Sequence, residues 1–134
     1  MSAITEQEIR SSVKNKAHKE SKAGLAASFF ITSDWGLSSA EQRKLLGNPA
    51  PESFAKWKTN NKGLLNQENK ERILQVLRIY RGLDSLYSKP NVKVWLTHKN
   101  KNALFNNRTP LEHMLTGRLS ALTDVKNYLD WAQA

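Results

Sequence analysis

Asn102-Ala103-Leu104-Phe105-Asn106-Asn107-Arg108-Thr109-Pro110-Leu111-Glu112-His113-Met114-Leu115-Thr116-Gly117-Arg118 spells out a turn, a helix start, an apolar face and a helix stop in succession. Asn106-Asn107 suits left-handed backbone, because Asn loses less than most residues at positive φ. Thr109 reads as an N-cap, Pro110 as the first helical residue, and Glu112 as the far partner of a capping box. Leu111, Met114 and Leu115 form one apolar face, and Gly117 is placed to end the helix in the αL conformation. A chain that writes helix punctuation this tightly is a helical chain.

The flanking sequence agrees. Upstream, Asn91 to Leu96 forms a short helix carrying Val92, Trp95 and Leu96, after a break at Ser88-Lys89-Pro90. Before that break Asn66 caps the longest helix, about Gln67 to Tyr87, whose stripe Ile73, Val76, Leu77, Tyr80, Leu83 and Tyr87 is core. Thr59-Asn60-Asn61-Lys62-Gly63 is a polar break, and the helix before it starts at Pro51 and carries Phe54 and Trp57. Ser38-Ser39-Ala40-Glu41 is a second capping box, opening a helix that runs to Leu46 and stops at Gly47. From Lys22 to Trp35, the residues Leu25, Phe29, Phe30 and Ile31 predict a helix packed on the core, ended by Ser33-Asp34-Trp35-Gly36.

The first twenty-odd residues are basic, with Arg10, Lys14, Lys16, Lys19 and Lys22, while Ile4, Ile9 and Val13 offer a sparse apolar spacing. They fit either a short helix after Thr5 or a frayed arm. Downstream, a last helix starts at Leu119 or Thr123 and reaches about Ala132. No segment alternates with the strand period, and no internal repeat appears. The predicted class is all-α, in three parts: a basic arm over 1–21, a helix-turn-helix-like region over 22–65, and a long helix with a C-terminal domain over 66–134.

At 134 residues, with 39% hydrophobic content, the chain can fill one small core. Zero cysteines exclude disulfides and thiolate chemistry. No apolar run reaches membrane-spanning length, and the N-terminus lacks the apolar core of a signal peptide, so a cytoplasmic protein without membrane contact is the expectation. The net charge of +9 points to a polyanion or an acidic protein surface as partner. His18, His98 and His113 are scattered and lack acid pairs, so no metal site, cofactor or catalytic base is expected, and His113 is read as a surface or interface residue. No phosphate loop or nucleophile triad is present, so the chain is not expected to be an enzyme.

Ser39 to Leu46, the Gly47 turn and the helix from Pro51 make a candidate helix-turn-helix, because a glycine turn lets the second helix lean into a major groove. Phe54 and Trp57 would anchor that helix. Arg43, Lys44, Asn48, Ser53, Lys56, Lys58 and Lys62 are the candidate DNA contacts, the basic ones reaching phosphates. An ordinary helical hairpin in a small bundle is the alternative.

Trp95-Leu96, the stretch Asn102 to Gly117, Asp124-Val125 and Tyr128-Leu129 together follow the order of the C-terminal domain of Xre/MbcA/ParS antitoxins, which residues 35 to 132 resemble. The family turn is usually Gly-Gly, and Asn106-Asn107 meets the same backbone need by other letters. The resemblance implies a type II antitoxin that blocks a RES-type, NAD-degrading toxin by physically closing its active site. It also implies autorepression of the operon through an N-terminal helix-turn-helix, and a homodimer. Carried onto this sequence, the toxin-binding candidates are Asn102, Phe105, Asn106, Asn107, Arg108, Thr109, Leu111, His113, Met114 and Arg118, with Arg108 either touching the toxin or fixing the turn through carbonyls. The chain departs from the family where the second helix begins: Pro51 and Glu52 stand in place of the usual basic start, and Arg43 sits where a small side chain is usual. These changes weaken base readout and leave phosphate contacts by lysines. Two other readings remain, a stand-alone helix-turn-helix regulator without a toxin and a protein-interaction module with no DNA role.

Overall fold

The computed structural model describes residues 4–63 and 65–134, except the side chains of residues 17 and 18, so His18 lies outside what is described. The described residues form an all-helical protein with α1 Glu6–Asp34, α2 Ser39–Leu45, α3 Pro51–Asn60, α4 Gln67–Leu86, α5 Lys89–Thr97, α6 Pro110–Met114 and α7 Leu119–Gln133.

Local chemistry sets most of these boundaries. Thr5, Ser38, Asn66 and Thr109 each cap a helix through the side chain, paired with Glu8, Glu41, Asn69 and Glu112 three residues on. Proline opens α3 and α6 and lies in the first turn of α5, where its missing N–H costs nothing. α1 is longer than its sequence suggested. It runs unbroken from the Thr5 cap to Asp34, so the basic segment and the following apolar helix are one element.

α4 is the axis of the molecule, flanked by α1 on one side and α7 on the other. Its stripe holds Ile73, Val76 and Leu83 as expected, and Ile79 as well, at 0% exposure. The main core joins Ile31, Trp35, Leu37 and Leu45 to Val76, Ile79, Leu83, Leu96, Phe105, Met114, Leu122, Val125 and Leu129. It therefore draws on residues from both sides of the 65/66 boundary. A second, smaller cluster seats Phe54 and Trp57 of α3 against Leu25, Leu46, Leu65 and Ile73. Phe30 is a correction to the sequence reading: it is 67% exposed, because Leu25, Ser28, Ile31 and Thr32 take the inward positions on that part of α1.

Polar groups stitch α1, α2 and α3 together. Buried Gln42 donates from Nε2 to Thr32 Oγ1 at 2.9 Å, and its Oε1 accepts from Lys58 Nζ at 2.8 Å. Thr32 in turn donates to the Ser28 carbonyl at 2.7 Å. A buried amide with both ends satisfied fixes the relative placement of three helices without an unmet polar group.

Candidate functional site

The turn before α6 has the geometry its letters require. Asn106 and Asn107 have φ of 51° and 61°, and the Arg108 N–H donates to the Phe105 carbonyl at 3.0 Å, closing a turn of type I′ character. Asn100 and Asn102 side chains accept from the backbone N–H groups of Asn102 and Leu104 at 2.9 and 3.0 Å, which orders the approach to the turn. Thr109 caps α6, and Gly117 ends that segment with φ +90°. Asn102, Asn106, Asn107 and Arg118 are exposed, while Arg108, Thr109 and Leu111 are half-buried.

Phe105 and Met114 are completely buried. They hold the candidate surface in place and are out of reach of a partner. His113 is a second correction, since it is 4% exposed where a surface position was expected. It is buried because its ring meets the Phe105 ring edge-on at 5.6 Å and lies under the turn. Arg108 bridges these groups: its Nη2 sits 3.1 Å from His113 Nδ1 and its Nε donates to the Phe105 carbonyl at 3.4 Å. A guanidinium can only donate, so Nδ1 is the acceptor and the neutral ring carries its proton on Nε2. That Nε2 faces Asp124 Oδ2 of α7 at 3.6 Å, outside hydrogen-bond range. Burial first, and then the Arg108 charge, push the His113 pKa below its usual value, against an opposing pull from Asp124.

Above Phe105 lies a group of aromatic rings drawn from α4's end, α5 and α7. Trp95 stacks on Tyr87 at 6.5 Å and on Tyr128 at 6.2 Å, and Phe105 meets both Trp95 and Tyr128 edge-on at 5.8 and 5.5 Å. Trp131 continues the row 6.0 Å from Tyr128 and is 71% exposed. Burial, followed by proximity to Tyr128, raises the Tyr87 pKa. Half-exposed Trp and Tyr rings held rigid from below, beside an arginine, are the composition of a protein-binding hot spot. Within the sequence only Tyr128 and Trp131, three residues apart on α7, carry a helical spacing, and the fold alone brings Tyr87 and Trp95 beside them.

The candidate DNA contacts divide into two sets. Arg43 donates from Nε to the Pro49 carbonyl at 2.7 Å, and Lys58 bonds Ser39 Oγ and Gln42, so both serve the α2–α3 connection. Lys44, Asn48, Ser53, Lys56 and Lys62 are exposed. Lys62 also frames a cleft with Lys19 and Lys22 of α1, a concentration of charge that the sequence alone did not join.

Arg72 was missed entirely. It is 5% exposed, donates to the Leu45 carbonyl at 3.2 Å and the Gly117 carbonyl at 2.7 Å, and pairs with Glu68 at 3.1 Å. It thus ties the end of α2 to the glycine that ends the α6 segment. Asn69 adds a bond to the Leu46 carbonyl at 2.9 Å.

Among known proteins, the chain is 32% identical over 123 residues to the uncharacterized protein y4oB of Sinorhizobium fredii (strain NBRC 101917 / NGR234), covering 91% of this chain and 93% of y4oB. No protein-family model matches it. The chain belongs to the family that y4oB represents.

Proposed function

We propose, taking membership of the y4oB family as the premise, that this chain is a cytoplasmic type II antitoxin. It sequesters a RES-type, NAD-degrading toxin by stoichiometric blocking and contributes to repression of its own operon as a homodimer. The observation that carries the reading is the Asn106-Asn107 turn, where two consecutive residues hold positive φ at the position that Gly-Gly occupies in the antitoxins the sequence resembles. The aromatic row beside it supplies the buried-anchor chemistry that a tight protein complex needs.

The contact is made by exposed and half-exposed groups: Asn106, Asn107, Arg108, Leu111, Trp95, Tyr128 and Trp131. Phe105, His113 and Met114 act from beneath by fixing the turn and the rings. DNA affinity comes from phosphate contacts by Lys44, Lys56, Lys62, Lys19 and Lys22, with dimer avidity and little base readout. The internal bonds of Arg43 and Lys58 favour a second reading, an interaction module with no DNA role.

Co-expression with the product of the neighbouring reading frame tests the first reading. The two proteins are expected to co-purify, and Trp131→Ala together with Arg108→Ala is expected to abolish both the complex and the rescue of growth. A folded double variant that still rescues growth removes the assigned surface. A gel shift on the upstream promoter region at low salt decides between the two readings, since no shift at any protein concentration leaves only the interaction module.

A further inference from the structure

Every described residue from Ile4 to Lys16 is exposed, although α1 is helical from Glu6 onward. Ile9 and Val13 stand 53% and 63% exposed on this projecting part. An isolated helix of this length is marginal in water and gains its stability from covering an amphipathic face. The face continues down α1 at alternating steps of four and three: Ile9, Val13, Lys16, Glu20, Ala23, Ala27 and Phe30. That spacing is the seam of a coiled coil. Beyond Glu20 the seam borders a groove between α1 and α4, lined by Gly24, Ala27 and Phe30 on one side and Leu74, Leu77 and Arg78 on the other. Phe30 and Leu74 in that groove are 67% and 40% exposed.

Resting on the homodimer of the proposed function, we propose that the occupant of this groove is the projecting end of α1 from a second copy of the same chain, laid antiparallel in a reciprocal two-fold dimer. Three features of the sequence and the fold select that partner. Length agrees, because Glu6–Lys16 and the groove segment Glu20–Phe30 each cover about 16 Å at the helical rise. Volume agrees, because an antiparallel pairing centred between Lys16 and Glu20 sets Ile9 against Ala27 of the second copy and Val13 against Ala23. Large side chains then meet small ones on both sides of the axis.

Charge agrees as well. The same register places Lys16 opposite Glu20 of the second copy, twice, and brings the acidic first turn with Glu6 and Glu8 toward the cationic end of the groove at Arg78 and Arg81. Because the pairing is isologous, each chain supplies one arm and one groove. The aromatic row uses Tyr87, Trp95, Tyr128 and Trp131, none of which lines the groove, so the two surfaces can be varied separately.

Sedimentation and light scattering of the purified chain test this, and neither uses the neighbouring gene product. The wild-type protein is expected at twice the 15.2 kDa chain mass. Lys16→Glu and Glu20→Lys each place two like-charged pairs across the axis and are expected to weaken self-association by about tenfold or more. The double variant Lys16→Glu/Glu20→Lys is expected to regain the wild-type dimer. An equimolar mixture of the two single variants is expected to form a heterodimer, since each then supplies the charge the other lacks. Circular dichroism and thermal unfolding that match wild type establish that the single variants fold. A monomeric wild-type chain, a double variant that stays monomeric, or single variants that fail to associate when mixed each overturn the proposal.

Discussion

The loop leading into α6 and the α2–α3 connection are built from similar parts and end up differently. Both hold capped helices, prolines at helix starts and left-handed Asn or Gly residues in the turn. Before α6, the one arginine of the turn closes it over a buried Phe–His pair and leaves Asn106 and Asn107 facing outward. Between α2 and α3, two of the candidate contact cations are engaged by the connection itself, half-buried Arg43 by the Pro49 carbonyl and exposed Lys58 by Gln42. A charged residue on a turn is therefore a weak guide to a contact surface until its own neighbours have been counted.

The largest expected effect lies under the α6 loop. Phe105→Ala removes a fully buried ring that touches Trp95, His113 and Tyr128, and is expected to cost about 4 kcal/mol in chemical denaturation. A loss below about 1 kcal/mol would mean that the loop rests on its backbone bonds alone. Next comes the link between the two regions. Arg72→Met leaves the Leu45 and Gly117 carbonyls without their donor and is expected to destabilise by roughly 2–3 kcal/mol. Amide exchange in that variant is expected to quicken at both the end of α2 and the end of α6. Quickening at one end only would show that Arg72 serves a single region.

A smaller change separates backbone from side chain at the turn. Asn107→Ala is expected to cost about 1 kcal/mol, because Ala at φ 61° keeps the Cβ strain and loses the short polar side chain that lets Asn tolerate it. Asn107→Gly, with no Cβ, is expected to be neutral or slightly stabilising. Equal losses in both variants would assign the Asn side chain a role of its own. The pH dependence is the mildest test. His113 has a lowered pKa in the folded state, so the unfolded chain binds the proton more readily, and stability falls as pH drops below about 6.5. Replacing His113 with Gln is expected to flatten that slope between neutral and mildly acidic pH. A slope unchanged in His113→Gln belongs to other groups.

The comparison also separates what could be read in the letters from what could not. Capping boxes, prolines and left-handed residues act over three or four positions, so Ser38, Asn66, Thr109, Asn106 and Gly117 were all legible. Burial of His113 was not, since it depends on Phe105 eight residues earlier and on α7 closing over it. Arg72 was invisible for the same reason: its carbonyl partners are 27 and 45 residues away, and a charged residue in a helix normally means solvent. Phe30 failed in the opposite direction, because it lies across the helix from the buried stripe of Leu25, Ser28 and Thr32. The aromatic row lay between these cases, with Tyr87, Trp95 and Tyr128 read from the sequence, Trp131 not, and the assembly across α4, α5 and α7 set by the fold.

The two carbonyls held by Arg72 bear on how the molecule comes apart. One guanidinium terminates two helical segments that are distant in the chain, and the main cluster spans both. Neither half then has a complete set of hydrogen bonds or a closed core when the other is molten. Heat is accordingly expected to be absorbed in one transition, with calorimetric and van't Hoff enthalpies in agreement, and limited proteolysis is expected to leave no stable half-molecule behind.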